Sequence, residues 1–389
     1  MLDVPIGPDS VREVVREIAD TRLRPAAAEV DRTEAYPFGH AKALAEAGIN
    51  GMTIPVEYGG SGASFETTCI AVEEAAKACG ISGRIVVDTN MGAVPAIMTY
   101  GTEAQKRRTA ELVLAGDKPA ICFTEPKAGS DATAMQSRAD RDGNGYVLNG
   151  VKYWITGGGI TQLYLVLAHV YHGADYQGIG SFLIEDGTAG LRVGERIPAM
   201  GLRGIPESYL HLENCTVPET SLLMPPAGLK KGFGQIMRAY NSQRIGAAAV
   251  ALGIAQGAYE EALSYVDARH QFDRPISEFQ GVQWKLADMS IQLRAARLLI
   301  HDTARAADPF PDMVASAQAK IFTAEMAINV TNDALQLHGA SGYGRDKPLE
   351  RMARDARMFT IGGGTVEILR NMVASGILDR KLPQTRLAG

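Results

Sequence analysis

The sequence predicts an α+β protein, mainly α, in which helices come first, a small β-rich section follows and helices return. Three observations carry that order. Up to about residue 119 apolar residues recur at helical spacing; from about 120 to 225 they gather in short runs rich in β-branched and aromatic residues. Beyond about 226 the chain reads as long helices rich in Ala and Gly, residues small enough for helix backbones to approach closely. The boundaries are an N-terminal helical domain over 1–119, a middle β-domain over 120–225 and a C-terminal four-helix bundle over 226–389. A chain of 389 residues supplies ample material for the buried cores of such units.

Taken in order, Ser10 with Glu13 forms a capping box ahead of Val11, Val14, Val15 and Ile18. A second helix covers 65–78 and is broken by Gly80, while Pro55 and Gly59-Gly60-Ser61-Gly62 mark the loop before it. In the middle section, Tyr146-Val147-Leu148, then Asn149-Gly150, then Val151-Lys152-Tyr153-Trp154-Ile155 predicts a hairpin with a type I′ turn. Leu163-Tyr164-Leu165-Val166-Leu167 and Ser181-Phe182-Leu183-Ile184 read as buried strands. The runs 244–265, 281–307 and 313–337 complete the helical bundle, and no internal repeat interrupts the order.

Bulk properties narrow the function. A net charge of −5 gives no electrostatic case for nucleic acid or a membrane surface. Met1-Leu2-Asp3-Val4-Pro5 lacks the basic region and apolar run of a signal peptide, and no apolar stretch approaches the ~18 residues of a membrane span. Cys69, Cys79, Cys122 and Cys215 are scattered without metal-ligand spacing, so reduced thiols in a cytoplasmic protein, with no metal site, are expected.

Chemistry concentrates in a few stretches. Ile121-Cys122-Phe123-Thr124-Glu125-Pro126-Lys127-Ala128-Gly129-Ser130-Asp131 contains a turn whose Pro and Gly expose backbone N–H groups and hydroxyls to a polar ligand. With Lys152-Tyr153-Trp154-Ile155-Thr156 and Ile361-Gly362-Gly363-Gly364-Thr365-Val366-Glu367, it resembles the acyl-CoA dehydrogenase superfamily over essentially the whole chain. The resemblance implies that family's α–β–α fold, bound FAD and an acyl-CoA substrate. It nominates Ile121, Phe123, Thr124, Gly129 and Ser130, with Trp154, Ile155 and Thr156 covering the flavin ring. Arg269, Gln271 and Phe272 resemble the stretch that reaches a neighbouring subunit's FAD, with Asp273 in place of the usual Gly. Gln336 and Gly339 match a further FAD loop, where Ala340 replaces a second Gly, and Thr365 and Glu367 match the last FAD contacts. Sites shared between subunits imply a homotetramer, or at least a dimer. For substrate, the resemblance nominates Ser130 beside the thioester arm and Asn241 and Arg244 beside the CoA adenine and pantetheine.

The departures from the family are as informative as the matches. Desaturating an acyl-CoA needs a base for the weakly acidic α-proton. The family carries that Glu either in the C-terminal loop, here Gly363, or before Arg244, here Gln243. Glycine has no side chain to take a proton, and an amide is no base near neutral pH. Where the family lines the distal acyl pocket with neutral residues, this chain has Arg84, whose planar fork suits a carboxylate, sulfinate or phosphate. Its plainer reading is an i,i+4 ion pair with Asp88, and Asp88 has a rival reading as a relocated base. Together with text at 116–122, 201–207, 239–241 and 378–386, Arg84, Gln243 and Gly363 resemble a branch of the superfamily that removes sulfite from an acyl-CoA. The implied reaction is hydrolytic loss of sulfite from 3-sulfinopropanoyl-CoA, leaving propanoyl-CoA, with Arg84 and Gln243 catalytic and no net flavin redox change. The alternative is an FAD-dependent dehydrogenase for a short acyl-CoA with an anionic tail, passing electrons to an electron-transfer flavoprotein. A third reading, a non-catalytic flavin-bound scaffold, sits poorly with Arg84 and Gln243 beside an intact flavin motif. The proton donor stays open among water, solvent held by Gln243, and Asp88.

Overall fold

The computed structural model of the protein describes residues 7–380 and 382. The N-terminal stretch 1–5 read for a signal peptide, and 381 and 383–386 of the matching C-terminal text, lie outside the described residues.

The chain begins with α1 (Pro8–Ile18), where Pro at the first helical position presets φ and lacks an N–H that would find no partner there. Val11 and Val15 face the core as expected. The capping box does not form: Gly7 is the N-cap, and Ser10, already inside the helix, donates from Oγ to the Gly7 carbonyl at 2.9 Å. A wide turn, Ala19–Leu23, leads into α2 (Arg24–Thr33) and α3 (Phe38–Glu46). Next come α4 (Phe65–Ala78), capped by Ser64, and α5 (Gly80–Asn90). The break between them falls at Cys79, which is extended, while Gly80 is already helical. The helices α6 (Ala93–Tyr100) and α7 (Glu103–Leu114) complete the first helical group. A true capping box occurs at Thr102 and Gln105, where each side chain satisfies the other residue's backbone N–H.

The middle section is one sheet built from β1 (Ala120–Cys122), β2 (Arg138–Asp142), β3 (Gly145–Thr156), β4 (Leu163–His172), β5 (Asp175–Glu185), β6 (Leu191–Arg196), β7 (Glu207–Pro218) and β8 (Leu222–Leu223). Its order is β6-β7-β3-β2-β4-β5-β8, with β1 lying parallel to β4 through Ile121 opposite Leu165. The expected hairpin at Asn149-Gly150 is not there: both residues lie inside the continuous β3, at a bulge against β7. Asn149 uses its amide across the strands, donating to Asn214 Oδ1 at 3.2 Å and accepting from Asn214 N at 2.8 Å. Gly150 is needed because Ser137 packs where a Cβ would stand. The real turn is Gly143-Asn144, which joins β2 to β3 with Asp142 opposite Gly145.

The second helical group comprises α8 (Gly228–Ala239), α9 (Asn241–Ala268), α10 (Gln280–Arg305), α11 (Met313–His338), α12 (Ala340–Tyr343), α13 (Leu349–Arg357) and α14 (Val366–Ile377), with a small hairpin of β9 (His270–Gln271) and β10 (Arg274–Pro275) after α9. The first fifteen residues of α9 are all buried, which marks it as the central helix. Gly253 and Gly257 make that possible: a Cβ at either would stand 2.5 Å from the carbonyl oxygen of Glu73 or Lys77 on α4. Helices, sheet, then helices is the order that the sequence periodicity predicts. A seam of Ile97, Leu163, Leu165, Leu183, Ile236 and Phe310 joins the sheet to the helices, and the candidate site opens beside it.

Candidate active site

After β1 the chain turns through Glu125 and Ala128, whose N–H and carbonyl groups exchange two bonds of 3.1 Å. The Glu125 carboxylate is enclosed and accepts from Gln136 N at 2.5 Å, Ser137 N at 3.0 Å and Lys152 Nζ at 2.7 Å. Burial pushes this carboxyl up, but Lys152 and the N–H donors outweigh it and hold Glu125 below its usual range. Tyr153 N donates to the Thr124 carbonyl at 2.8 Å. The two motifs are therefore joined by the ion pair, by Lys152 Nζ donating to the Phe123 carbonyl at 3.4 Å, and through the backbone.

Around this joint the surface suits a flat ring with a polar edge. Phe123 stacks on Phe233 of α8 at 5.7 Å, while Gly129 and Ser130 are exposed, with nothing within 4 Å of a Cβ on Gly129. Trp154 adopts φ 57, an uncommon conformation for a non-glycine residue, and leaves its indole 44 % exposed. Ile155, the next residue, is buried, and Ile121 on β1 is half-buried. An exposed Trp154 and open space at Gly129 fit a flavin.

The remaining residues nominated for the flavin occupy other exposed surfaces. Arg269, Gln271 and Phe272 lie on the β9–β10 hairpin, and Phe272 is 87 % exposed. Phe272 and Asp273 both have positive φ, so the turn keeps type I′ geometry without a glycine. Gln336 is exposed near the end of α11; Gly339 ends that helix at φ 58, whereas Ala340 already begins α12 and needs no glycine. Thr365 caps α14 by accepting from Ile368 N, and Glu367 is exposed in its first turn. Among the described residues no hydrogen bond joins these groups to the 123–130 turn or to Trp154.

The second half of the site lies where α5 meets the start of α9. Arg84 is a turn from Asp88, with Nε 3.2 Å from Asp88 Oδ1 but without hydrogen-bond alignment, so this buried N–H is left open. Its other two nitrogens donate to Gln243, at 3.1 Å from Nη1 and 3.2 Å from Nη2, once the amide is oriented to suit its surroundings. Burial opposes the Arg84 charge, but Asp88 and Glu207 outweigh it and raise its pKa. The ion pair of Arg84 with Asp88 thus occurs, while the rest of its fork faces Gln243. The other Asp88 oxygen holds Lys118 Nζ at 2.7 Å, so both oxygens already face cations, which weakens the reading of Asp88 as a base. Gly92 lets Gln243 approach, since a Cβ there would stand 2.7 Å from the end of its side-chain amide. Asn241 and Arg244 are buried and bonded to each other, and Asn241 also donates to the Pro311 carbonyl at 3.1 Å. At Gly363 φ is 73 and nothing lies within 4 Å of a Cβ, so the position is roomy as well as bare. The loop is held by Lys320, whose Nζ donates to the Gly364 carbonyl at 2.6 Å and whose pKa burial pushes down to about 7.

Four charged residues gained no role from sequence reasoning: Glu125, Lys152, Lys118 and Glu207. Glu207 opens β7, half-buried, with its carboxylate accepting from Thr156 Oγ1 at 2.9 and 3.0 Å. The available signal was a charged residue beside a proline at the start of a strand, in Lys118-Pro119 and Pro206-Glu207.

Comparison with known proteins adds the following. Family models described as the N-terminal, middle and C-terminal domains of acyl-CoA dehydrogenase match residues 9–117, 120–215 and 230–378. A 3-sulfinopropanoyl-CoA desulfinase from Cupriavidus necator is 56 % identical over 374 residues, covering 95 % of each chain. Butyryl-CoA dehydrogenase from Megasphaera elsdenii superposes with a TM-score of 0.91 at 33 % identity, covering 98 % of this chain and 99 % of that one. Glutaryl-CoA dehydrogenase from Mycobacterium smegmatis, solved with FADH2, gives 0.90 at 27 % identity, covering 96 % and 95 %. Among the described residues no helix is long and apolar enough to cross a membrane.

Proposed function

The chain belongs to the acyl-CoA dehydrogenase family, and from that premise we propose that it removes sulfite from 3-sulfinopropanoyl-CoA, leaving propanoyl-CoA, with FAD as its resident cofactor. The observation that carries this reading is the buried contact between Arg84 and Gln243, with a roomy glycine at 363. Both places for the family's base lack a carboxylate, so the α-proton has no acceptor there and oxidation is not begun. A permanent cation instead waits for an anionic tail.

Arg84 receives the sulfinate oxygens with its open Nε–H and with the Nη donors that otherwise face Gln243. Holding the sulfinate there fixes the carbon–sulfur bond in one place against the other groups of the site, which is the positioning a bond-breaking step needs. Gln243, released from Arg84, orients the tail or a water molecule. Phe123, Thr124, Gly129, Ser130, Trp154, Ile155 and Thr156 would hold the flavin, whose bound ring supplies a planar wall to the pocket without net electron transfer. Ser130, Asn241 and Arg244 would hold the CoA arm. The exposed Arg269, Gln271 and Phe272 support a second protomer completing the flavin site, and we assign a cytoplasmic homotetramer with divisions at about residues 119 and 225.

Anaerobic incubation of the holoprotein with 3-sulfinopropanoyl-CoA tests this, with sulfite and the flavin spectrum followed together. Sulfite is expected while the flavin stays oxidised. Flavin bleaching without sulfite would assign the protein to dehydrogenation instead.

A further inference from the structure

We propose that Glu207 is the proton store of the reaction, supplying the proton that takes the place of sulfur on carbon, with Thr156 positioning its carboxyl. This rests on the desulfination reading. Glu207 stands at one end of a run of polar groups that passes through the backbone of Thr156. Its carboxyl meets Thr156 Oγ1 at 2.9 and 3.0 Å, and the Thr156 carbonyl accepts from Lys118 Nζ at 3.3 Å. Lys118 holds Asp88 at 2.7 Å, Asp88 stands 3.2 Å from Arg84, and Arg84 meets Gln243 at the other end. The proposed anion anchor and Glu207 therefore belong to a single cluster.

The backbone under Glu207 is held from several sides. Ile197 N donates to the Glu207 carbonyl at 2.6 Å, Gly157 N donates to the Pro206 carbonyl at 2.7 Å, and Leu202 N donates to Asp355 Oδ1 on α13 at 2.6 Å. A carboxyl so held has a fixed address.

Its surroundings suit a group that carries a proton. The groups facing it are Arg84 and Asp88 from α5, Lys118 from the segment before β1, and the Thr156 hydroxyl from β3. Asp88 takes both cations into ion pairs, and among the described residues Glu207 has none. Burial pushes the Glu207 carboxyl up to about 7, against the pull of Arg84, Thr156 and Lys118 and with the push of Asp88. Near neutral pH it can hold a proton and give it up, which neither Gln243 nor Gly363 can do.

The atoms balance. The carbon–sulfur bond breaks with its electron pair remaining on carbon, and sulfur departs as sulfur dioxide. The proton from Glu207 combines with that pair to form the new C–H bond. Water adds to sulfur dioxide to give hydrogen sulfite and one proton, which returns to Glu207. No external oxidant or reductant takes part.

The test uses FAD-loaded protein and 3-sulfinopropanoyl-CoA, reading sulfite release from about pH 5.5 to 8.5 across an ionisation near neutrality. The wild type is expected to lose kcat above about pH 7 along a single ionisation. Glu207→Gln is expected to keep FAD and KM, lower kcat about 100-fold and abolish that ionisation, while Glu207→Asp recovers part of both. A flat wild-type profile, or Glu207→Gln with wild-type kcat and the same ionisation, overturns the proposal. If Glu207→Gln loses FAD, the wild-type profile and Glu207→Asp decide. Absence of sulfite from the wild type at every pH refutes desulfination itself, an outcome separate from an active enzyme indifferent to Glu207.

Discussion

Lys152→Met removes what is, among the described residues, the only side-chain cation paired with the enclosed Glu125 carboxylate. The Lys152 side chain is 0 % exposed and that of Glu125 4 %, with Nζ and Oε1 2.7 Å apart. Removing one partner of a buried pair costs about 3–5 kcal/mol, because the remaining charge stays desolvated. Glu125 keeps the N–H donors of Gln136 and Ser137, which places the loss at the low end, about 3 kcal/mol. Adding Glu125→Gln removes the stranded charge while its amide oxygen still accepts one N–H. The double variant should then lose only about 1–2 kcal/mol, less than Lys152→Met alone. Glu125→Gln alone strands the buried Lys152 charge and should itself cost about 2 kcal/mol, so the two substitutions are coupled by about 3–4 kcal/mol. Urea unfolding of the four proteins, at fixed protein and FAD concentrations, measures the cycle. Retained flavin should follow the same ranking, since this pair supports the turn bearing Thr124. Additive losses, or a Lys152→Met cost under about 1 kcal/mol, would refute the argument that a buried charge depends on its partner.

The proposed anion anchor and the bare base position make further predictions. Arg84→Lys keeps the charge but loses the planar fork, so kcat/KM for sulfite release should fall about 100-fold or more; unchanged kinetics would remove Arg84 from the reaction. Gly363→Glu has room for its side chain, although φ 73 costs about 1–2 kcal/mol in a non-glycine residue. Butanoyl-CoA should then reduce the flavin measurably, and if the flavin stays oxidised, geometry rather than missing basicity blocks oxidation. Raised from 4.5 to about 7, the Glu207 carboxyl keeps a proton in the folded state that the unfolded chain releases. That contribution is complete below about pH 4.5 and is lost as pH rises through about 7, by at most about 3 kcal/mol. Glu207→Gln should therefore gain stability relative to wild type between pH 5 and 8; parallel denaturation curves would count against the raised value.

The α–β–α order was legible because helical and strand periodicities are local properties of the chain, and the turn after β1 because Pro126 and Gly129 punctuate it within a few residues. Arg84, Gln243 and Gly363 stood out through the family resemblance, which says where a carboxylate or a neutral residue is expected, combined with the chemistry of a guanidinium, an amide and a glycine. Local signals failed where a distant partner decided their use. Asn149-Gly150 has the composition of a hairpin turn, yet Asn214, 65 residues away, claims the Asn149 side chain and Ser137 needs the missing Cβ. Ser10 has capping chemistry, but Pro8 begins the helix before it. The pairings of Lys152 with Glu125, Lys118 with Asp88 and Thr156 with Glu207 span 27, 30 and 51 residues. By itself, then, the sequence determined the succession of elements and the chemistry that the site lacks. Only the tertiary structure decided which buried charges answer one another, because a charge's partner and desolvation depend on chain segments brought together by folding.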